Sequence, residues 1–299
     1  HVVQGQLPEF ILRPAFLVVL VLGAHFGLSA RALTASDAMM LHAFASLAAF
    51  IIGAFLLLRA RPAEVRAERN TTTQPRAWLA AALPLGMVSA AQLTSQSIGS
   101  IFLGLYHNPE EVAYYQVALQ GSIFVLLAIN LSNIVVTPYL ARFFETREID
   151  YIRRIIPITT LIILFYTIFS FLLLVIFGGQ LIILLFGGDY ISTYLPLIIL
   201  SSAYVGSSIV ALSGPVLLIA GHERALMKSS LISLAITLVL SAYLSMLYSS
   251  IGAAAASAVG ILYFYFWLYR YAKKTINIDT SLFALKLSEL QILFGKETR

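Results

Sequence analysis

Long apolar stretches separated by short polar connections are the feature that most restricts how this chain can fold. Eight of them approach or exceed the ~20 residues that an α-helix needs to cross a hydrocarbon core of ~30 Å. They occupy residues 11–29, 38–58, 78–105, 113–140, 153–177, 192–220, 225–248 and 250–272. Because lipid cannot pair backbone N–H and C=O groups, the sequence predicts an all-α, polytopic transmembrane bundle with eight spans.

The composition agrees with a membrane protein and excludes several classes of chemistry. Hydrophobic residues make up 60% of the chain and charged residues 11%, which is too apolar for an ordinary soluble domain. There is no cysteine, so disulfides, thiolate metal sites and cysteine nucleophiles are excluded. The sequence has no P-loop, dinucleotide fingerprint, HExxH or nucleophile elbow, and its five histidines lack ligand spacing. It therefore predicts no catalytic residue, no metal and no cofactor.

The basic residues are segregated under this eight-span topology. Short cytoplasmic loops are enriched in Lys and Arg. With Arg13 placed inside, eighteen of the nineteen basic residues fall on the inner side, and only Arg31 falls outside. An error in the number of spans would mix the two sides. The segregation thus predicts eight crossings and a cytoplasmic C-terminus, and it explains the net charge of +5 without nucleic acid as a partner.

The polar stretch 59–77 is the longest connection, and it separates two spans from six. The predicted organisation is two helices (1–58), a cytoplasmic linker (59–77), a six-helix lobe (78–274) and a cytoplasmic tail (275–299). In the tail, helical spacing of four apolar residues predicts an amphipathic surface helix that lies on lipid or packs on a partner: Phe283, Leu287, Leu290 and Phe294. The apolar segment Leu181–Phe186 is too short to cross a membrane, so we expect it to form a separate interfacial cap on the outer side.

Amide and hydroxyl side chains interrupt two of the apolar stretches. Residues one or two turns apart share a helix face, which predicts three polar stripes: Gln92 with Gln96, Gln116 with Gln120, and Asn130 with Asn133 and Thr137. Such stripes are unfavourable against lipid tails. Either these groups hydrogen-bond across helices and fix packing, or the stripes together line a hydrated, substrate-facing cavity. We expect the cavity, because neighbouring spans carry several amides and none has a buried charge to pair.

Three further features near the spans have both a structural and a functional interpretation. Arg13 either reaches lipid phosphates or contacts an anionic substrate headgroup. Pro138 removes a backbone donor near the inner end of its span and is either a hinge or a passive kink. Gly252, Ala256 and Gly260 are four residues apart, which predicts close packing of the last two spans.

Several short phrases follow one another along the chain. They are LPLG at 83–86, FLG at 102–104, NPEEVAYYQVA at 108–118, Pro138 with Ala141, LFGGDY at 185–190, GHER at 221–224 and IGAA at 251–254. In this order they resemble the second half of bacterial polysaccharide flippases, which include O-antigen transporters. These proteins belong to the multidrug/oligosaccharidyl-lipid/polysaccharide exporter superfamily. The resemblance extends over nearly the whole chain.

The resemblance implies an all-helical transporter of twelve to fourteen spans, built as two six-helix lobes around a cavity that opens alternately to either side. The present sequence would then be a fragment that lacks the N-terminal part and holds the last two helices of the first lobe. Such flippases move undecaprenyl-pyrophosphate-linked sugar repeat units across the bacterial cytoplasmic membrane for O-antigen, lipopolysaccharide and other surface polysaccharides. The expected partners are this lipid-linked oligosaccharide and membrane lipids. No enzyme activity is expected, and the oligomeric state is not predicted.

The sequence departs from the flippase pattern at two positions and leaves two other functions open. Relatives often carry an acidic residue where this chain has Gly99, and a basic residue where it has Gln120. Pyrophosphate recognition and ion coupling would then depend on Arg13 or on the absent lobe. One alternative is a drug or cation exporter of the same superfamily, although no span has an acidic residue near its middle. The other is a membrane-embedded glycan polymerase, ligase or acyltransferase, although every outer connection is short.

Overall fold

The computed structural model describes residues 8–27, 35–59 and 75–282, and within these ranges the chain is helical, without strand. It divides into two compact units, 1–74 and 75–299, and this division lies inside the stretch predicted as a linker. The first unit contains a π-helical turn, Pro8–Leu12, then α1 (Arg13–Gly27) and α2 (Ala35–Arg59). The second unit contains α3 (Pro75–Tyr106), α4 (Pro109–Glu145), α5 (Ile149–Phe186), a 3₁₀ turn (Gly188–Thr193), α6 (Tyr194–Ser208), α7 (Ser213–Ile219) and α8 (Glu223–Thr275). The amphipathic tail helix predicted over 283–294 lies outside the described residues.

Among the described residues, five helices are long and apolar enough to cross a membrane. They are Met39–Arg59, Pro109–Glu145, Tyr151–Phe186, Gly188–Ser208 and Glu223–Thr275. Large apolar side chains cover their outer faces, and on α5 Phe165 is 75% exposed and Leu184 is 79% exposed. Surfaces of this kind are stable against lipid rather than water. The predicted all-α transmembrane character is confirmed, and the count of eight crossings stays a prediction.

The longest helix, α8, is folded back on itself. Its backbone leaves the helical conformation at Tyr248 and Ser249, where Ser249 has φ 50° and ψ −136°. Between the two halves that this break separates, the Oγ of Ser233 donates a hydrogen bond of 2.7 Å to the carbonyl of Gly260. A second bond, of 3.3 Å, joins the Oγ of Ser229 to the carbonyl of Phe264. Moving four residues back along the first half, from Ser233 to Ser229, moves the partner four residues forward along the second half. The halves (223–247 and 250–275) therefore run antiparallel and form a hairpin.

Small residues allow the two halves of α8 to approach closely. A Cβ built on Gly260 would lie 2.0 Å from the Oγ1 of Thr237, and one built on Gly252 would lie 1.9 Å from the carbonyl oxygen of Leu244. Both distances are far below van der Waals contact, so only glycine fits at these positions. The predicted close packing along Gly252, Ala256 and Gly260 is confirmed.

The connection between α3 and α4 stabilises the break in α8. The Nε2 of His107 donates a hydrogen bond of 2.7 Å to the carbonyl of Ser245, near the end of the first half. A carboxylate oxygen of Glu111 accepts a bond of 3.0 Å from the N–H of Ser250, where the second half begins. Helix ends leave such groups without intrahelical partners. The two side chains therefore satisfy both sides of the break and hold Ser249 in a conformation that ordinarily costs about 1–3 kcal/mol.

A second interruption separates α6 from α7 and is covered by the segment that follows α8. The N–H of Leu282 donates to the carbonyl of Ile209 at 3.2 Å. The hydroxyls of Ser213 and Thr280 are hydrogen-bonded at 2.7 Å, and both are buried. Partial burial of Asp279 raises the pKa of its carboxyl, but hydrogen bonds from Lys273 and Ser281 outweigh this effect and hold the pKa below its ordinary value.

The end of α5 and the positions of the helix breaks differ from what the sequence alone suggests. The helix α5 continues through Gly178 and Gly179 to Phe186, so Leu181–Phe186 is the end of this helix and not a separate cap. It stops at Gly187, whose φ of 96° favours glycine. Pro138 lies inside α4, which runs unbroken to Glu145, and the helix breaks within residues 75–282 contain no proline. Neighbouring packing therefore decides where these helices break.

We predict that Gly252→Ala destabilises the protein by about 1–3 kcal/mol, because the new methyl group meets the backbone of Leu244, which cannot rotate away. The matched control is Gly86→Ala in α3, where nothing lies within 4 Å of the added atom. This control is expected to gain about 0.5–1 kcal/mol from the lower entropy of the unfolded chain. Thermal unfolding of both variants in the same detergent measures the difference. Equal melting temperatures would contradict the hairpin packing.

We also predict that Glu111→Ala loosens the break in α8, because the N–H of Ser250 loses its acceptor. The expected loss is about 0.5–2 kcal/mol, as for other helix N-caps. Amide hydrogen exchange should accelerate near residues 248–252. Glu110→Ala is the control, since the neighbouring carboxylate is exposed and makes no hydrogen bond within the described part of the chain. Unchanged exchange in Glu111→Ala would show that the carboxylate does not stabilise the break.

Candidate functional site

A half-open cavity of about 250 Å³ lies within the second unit, lined by residues of α3, α4, α6 and both halves of α8. Its walls combine amide, hydroxyl, aromatic and aliphatic side chains. The lining residues are Gln92, Ser95, Gln96, Leu119, Leu126, Asn130, Tyr204, Ser230, Ser233, Thr237, Ser257, Ile261, Phe264 and Tyr265. Helix packing around a broken, folded-back α8 therefore produces a polar space inside an otherwise apolar lobe.

Three amide side chains form one wall. Gln92 and Gln96 are one turn apart on α3, and Asn130 is on α4. Each of them is exposed, and none makes a side-chain hydrogen bond to another described residue. An amide offers two donor hydrogens and an accepting oxygen. This wall can therefore donate to and accept from a ligand without first breaking internal bonds.

The opposite wall carries hydroxyl groups from α8. Two of them are already paired: Ser233 bonds the carbonyl of Gly260, and Ser257 shares a hydrogen bond of 2.8 Å with the hydroxyl of Tyr115. Ser230 is different, because its side chain is only 4% exposed and its Oγ has no partner in the described part of the chain. A buried hydroxyl without a partner is unfavourable by about 1–3 kcal/mol. Ser230 therefore gains a hydrogen bond if a polar ligand or water enters the cavity.

Aromatic and aliphatic groups complete the lining. Phe264 and Tyr265 lie side by side with ring centroids 5.2 Å apart and planes at 81°. Tyr204 on α6 and Tyr265 present hydroxyls that make no hydrogen bond to a described residue. Aromatic rings of this kind combine an apolar face with a polar edge. The cavity can therefore contact the apolar face and the polar groups of one ligand at the same time.

None of the described residues that line the cavity is charged. Its polar groups are amides, aliphatic hydroxyls and phenols, which donate and accept hydrogen bonds but do not neutralise an ion. The arrangement suits binding of an uncharged, hydroxyl-rich molecule. Among the described lining residues there is no carboxylate or imidazole that could transfer a proton.

The structure brings some of the predicted site residues together and separates the others. Gln92, Gln96 and Asn130, predicted on two different stripes, line one cavity. The remaining stripe residues do not line it. Gln116 instead donates a hydrogen bond of 2.7 Å to Ser100, which is the packing role considered above. Gln120 is exposed elsewhere on α4.

The polar stripe on α4 ends at Asn133 and Thr137, which lie outside the cavity lining. The hydroxyl of Thr137 donates to the carbonyl of Asn133 in its own helix. The Oδ1 of Asn133 is buried without a partner among the described residues. Neither lines the cavity, and Pro138 beside them is exposed within a continuous helix.

In the first unit, the guanidinium of Arg13 donates to the Nε2 of His42 at 2.6 Å, so this imidazole nitrogen is an acceptor.

Gly99, where the resemblance to flippases implies an acidic residue, has no room for a side chain. A Cβ on Gly99 would lie 2.6 Å from the ring of Tyr115, which is fully buried and reaches across to Ser257 on α8. The tyrosine thus occupies the space that an acidic side chain on α3 would need. Gly99 therefore packs against a buried aromatic side chain that links α4 to α8.

Sequence reasoning missed the hydroxyl wall and the aromatic groups. A signal was present, since Ser229, Ser233, Thr237, Ser241 and Ser245 recur every four residues along the first half of α8. This spacing predicts one hydroxyl-bearing face. Tyr204 and Tyr265 carry no comparable signal, because single tyrosines in apolar helices are more often packing residues.

A wider cavity of about 520 Å³ lies beside the break in α8. It is lined by residues of the 3₁₀ turn, the start of α6 and the break itself, together with Glu111. The Glu111 carboxylate and the N–H of Ser250 already pair with each other there. Its one described charged group, the Glu111 carboxylate, therefore already stabilises the fold, and the smaller cavity is the candidate site.

No protein-family model matches this chain, and no curated protein matches its sequence.

We predict that Gly99→Ala destabilises the protein by about 1–3 kcal/mol, because the added methyl group overlaps the ring of Tyr115. Gly104→Ala is the control on the same helix, where the nearest atom lies 3.9 Å away. The double variant Gly99→Ala/Tyr115→Leu should be more stable than the sum of the two single changes predicts, since residues in contact are not additive. Thermal unfolding of the four variants measures this coupling. Additive losses would contradict the contact.

Proposed function

We propose that this protein is a transporter that flips undecaprenyl-pyrophosphate-linked oligosaccharide repeat units across the bacterial cytoplasmic membrane, for surface polysaccharide or O-antigen biosynthesis. The observation that carries the proposal is the charge-free, hydrogen-bonding cavity between α3, α4 and α8. Sugar hydroxyls need donors and acceptors in equal measure, and amides and hydroxyls supply both. The ordered sequence phrases that resemble polysaccharide flippases support the same proposal.

The proposal includes the architecture of the whole transporter. The eight apolar segments would all cross the membrane, with the C-terminus in the cytoplasm, as the segregation of basic residues favours. The six-helix lobe at 78–274 would be one half of the transporter, and the helices in 1–58 would belong to the other half. The sugar would pass through the polar space between helices while the polyprenyl tail stays in lipid.

Transport would proceed by alternating access, and no covalent bond would be made or broken. Neutral hydrogen bonds suit this task because each is worth only about 0.5–1.5 kcal/mol net, so a bound sugar can leave again. The break in α8 lies away from the cavity lining, at the opposite end of the hairpin from Ser229. Its exchangeable side-chain bonds offer a place where the hairpin can change shape during the cycle.

A drug or cation exporter of the same superfamily is the second candidate. Binding a cation in a membrane cavity requires an acidic partner, because an unpaired buried charge is unfavourable by several kcal/mol. The described residues that line the cavity include no Asp or Glu. The neutral lining therefore favours the sugar transporter over the cation exporter. It equally disfavours a glycan polymerase or ligase with its catalytic centre in this cavity.

The proposed function is tested by deleting the gene and complementing the deletion with the full-length protein. A flippase predicts lost surface polysaccharide together with complete lipid-linked repeat units accumulating on the cytoplasmic leaflet. Complementation should reverse both effects. Unchanged glycans with altered drug susceptibility would contradict the proposal and favour the exporter.

Within this assay, we predict that Asn130→Leu in the full-length protein reduces transport about tenfold, because the cavity loses a hydrogen-bonding group and gains an apolar one. Gln120→Leu is a matched control: it removes an exposed amide from the same helix, away from the cavity. Membrane levels of both variants are compared by immunoblot. Equal transport by the two variants would contradict the assignment of the cavity as the sugar path.

A further inference from the structure

The cavity has the size and the chemistry of a site for a single sugar ring. Its volume of about 250 Å³ lies just below the range of about 300–1,000 Å³ that is typical of small-molecule sites, which is the scale of one sugar ring rather than of a whole repeat unit. An oligosaccharide would place one sugar against these walls and extend its other sugars beyond them.

The distribution of groups around the cavity matches the two kinds of surface that a pyranose has. Gln92, Gln96 and Asn130 supply donors and acceptors without internal partners. Phe264 and Tyr265 supply aromatic surface for the apolar C–H face of the ring. A purely apolar ligand would leave the amides unsatisfied, and a fully polar one would leave the aromatic surface unused.

Ser230 provides an independent indication of a ligand. Ser230 lines the cavity and its hydroxyl is buried without a partner among the described residues, while the neighbouring cavity hydroxyls of Ser233 and Ser257 are already bonded within the protein. A hydroxyl with an unused donor and two unused acceptor positions beside the cavity can pair with a group that enters it.

The absence of charge from the described cavity lining limits which sugar can enter. A carboxylate moved from water into this space would lose its hydration and meet neither Lys nor Arg. An ammonium group would meet neither Asp nor Glu. Both ionic sugars should bind more weakly than a neutral sugar of the same shape.

We propose that the cavity is a monosaccharide subsite selective for uncharged sugars over uronic acids and amino sugars, with Ser230 as a specificity-determining residue that bonds the ring. This inference rests on the proposed function and deepens it, since it assigns neutral repeat units as the cargo. The selectivity arises from the missing countercharges, and the hydroxyl of Ser230 fixes the orientation of the sugar.

The test uses the purified chain in lipid nanodiscs and measures binding by saturation-transfer difference NMR. The probes are methyl pyranosides of glucose, galactose and mannose, each paired with its uronate, which differs only by a carboxylate in place of the C6 hydroxymethyl group. We expect at least one neutral pyranoside to bind, and its uronate to bind at least tenfold more weakly.

Two matched variants assign the binding to this cavity. Ser230→Ala should weaken binding of the neutral probe about tenfold, whereas Ser241→Ala should not change it. Ser241 is an equally buried, unpartnered serine on the same half of α8 but does not line the cavity. Gln96→Lys adds a cation to the wall and should raise uronate binding relative to neutral binding about tenfold.

Three results would contradict three different parts of the proposal. Equal binding of neutral probes and uronates would overturn the selectivity while leaving the flippase proposal intact. Equal effects of Ser230→Ala and Ser241→Ala would overturn the assigned role of Ser230. Failure of every neutral pyranoside to bind would overturn the subsite, and the gene-deletion assay then decides separately whether the protein moves lipid-linked glycans.

Discussion

The pairing of backbone groups at broken helices is the constraint on which this fold depends. Within a membrane, an unpaired N–H or C=O is unfavourable by several kcal/mol, so an interruption is tolerated only where another part of the protein supplies the missing partner. The second unit meets this requirement twice. His107 and Glu111 supply bonds on the two sides of the break in α8, and the segment around Leu282 covers the gap between α6 and α7. These contacts tie distant parts of the chain to each interruption.

The folded-back α8 in turn creates the cavity. Glycine at 252 and 260 allows its two halves to pack so closely that side-chain hydroxyls bond backbone carbonyls across the seam. Ser230, one residue after the paired Ser229, lines the same cavity as the amides of α3 and α4. A single structural device therefore explains both the stability of the hairpin and the polar space beside it. The function proposed for that space follows from its neutrality, because neutral groups bind a sugar without holding it by charge.

Much of the architecture was predictable because membrane helices obey strong local rules. Apolar length identified the helical segments, and four-residue spacing of Gly252, Ala256 and Gly260 identified the close seam. Gln92, Gln96 and Asn130 were predictable as cavity residues because amides are unfavourable against lipid. The sequence could not show which polar groups would find partners: Gln116 bonds Ser100, whereas the similar Gln96 stays free. Nor could it locate the breaks, which depend on distant side chains such as Glu111 rather than on proline.

A hydrated cavity inside the membrane is the central claim, and thiol labelling in intact membranes tests it most directly. The chain has no cysteine, so a single introduced thiol has no background within it. Gln96→Cys on the cavity wall is compared with Leu93→Cys on the same helix, where the native leucine is 65% exposed and does not line the cavity. A water-soluble thiol reagent needs the thiolate, which forms only in contact with water. The account predicts rapid labelling of the Gln96→Cys variant and little labelling of the Leu93→Cys variant, and equal labelling of the two would contradict it.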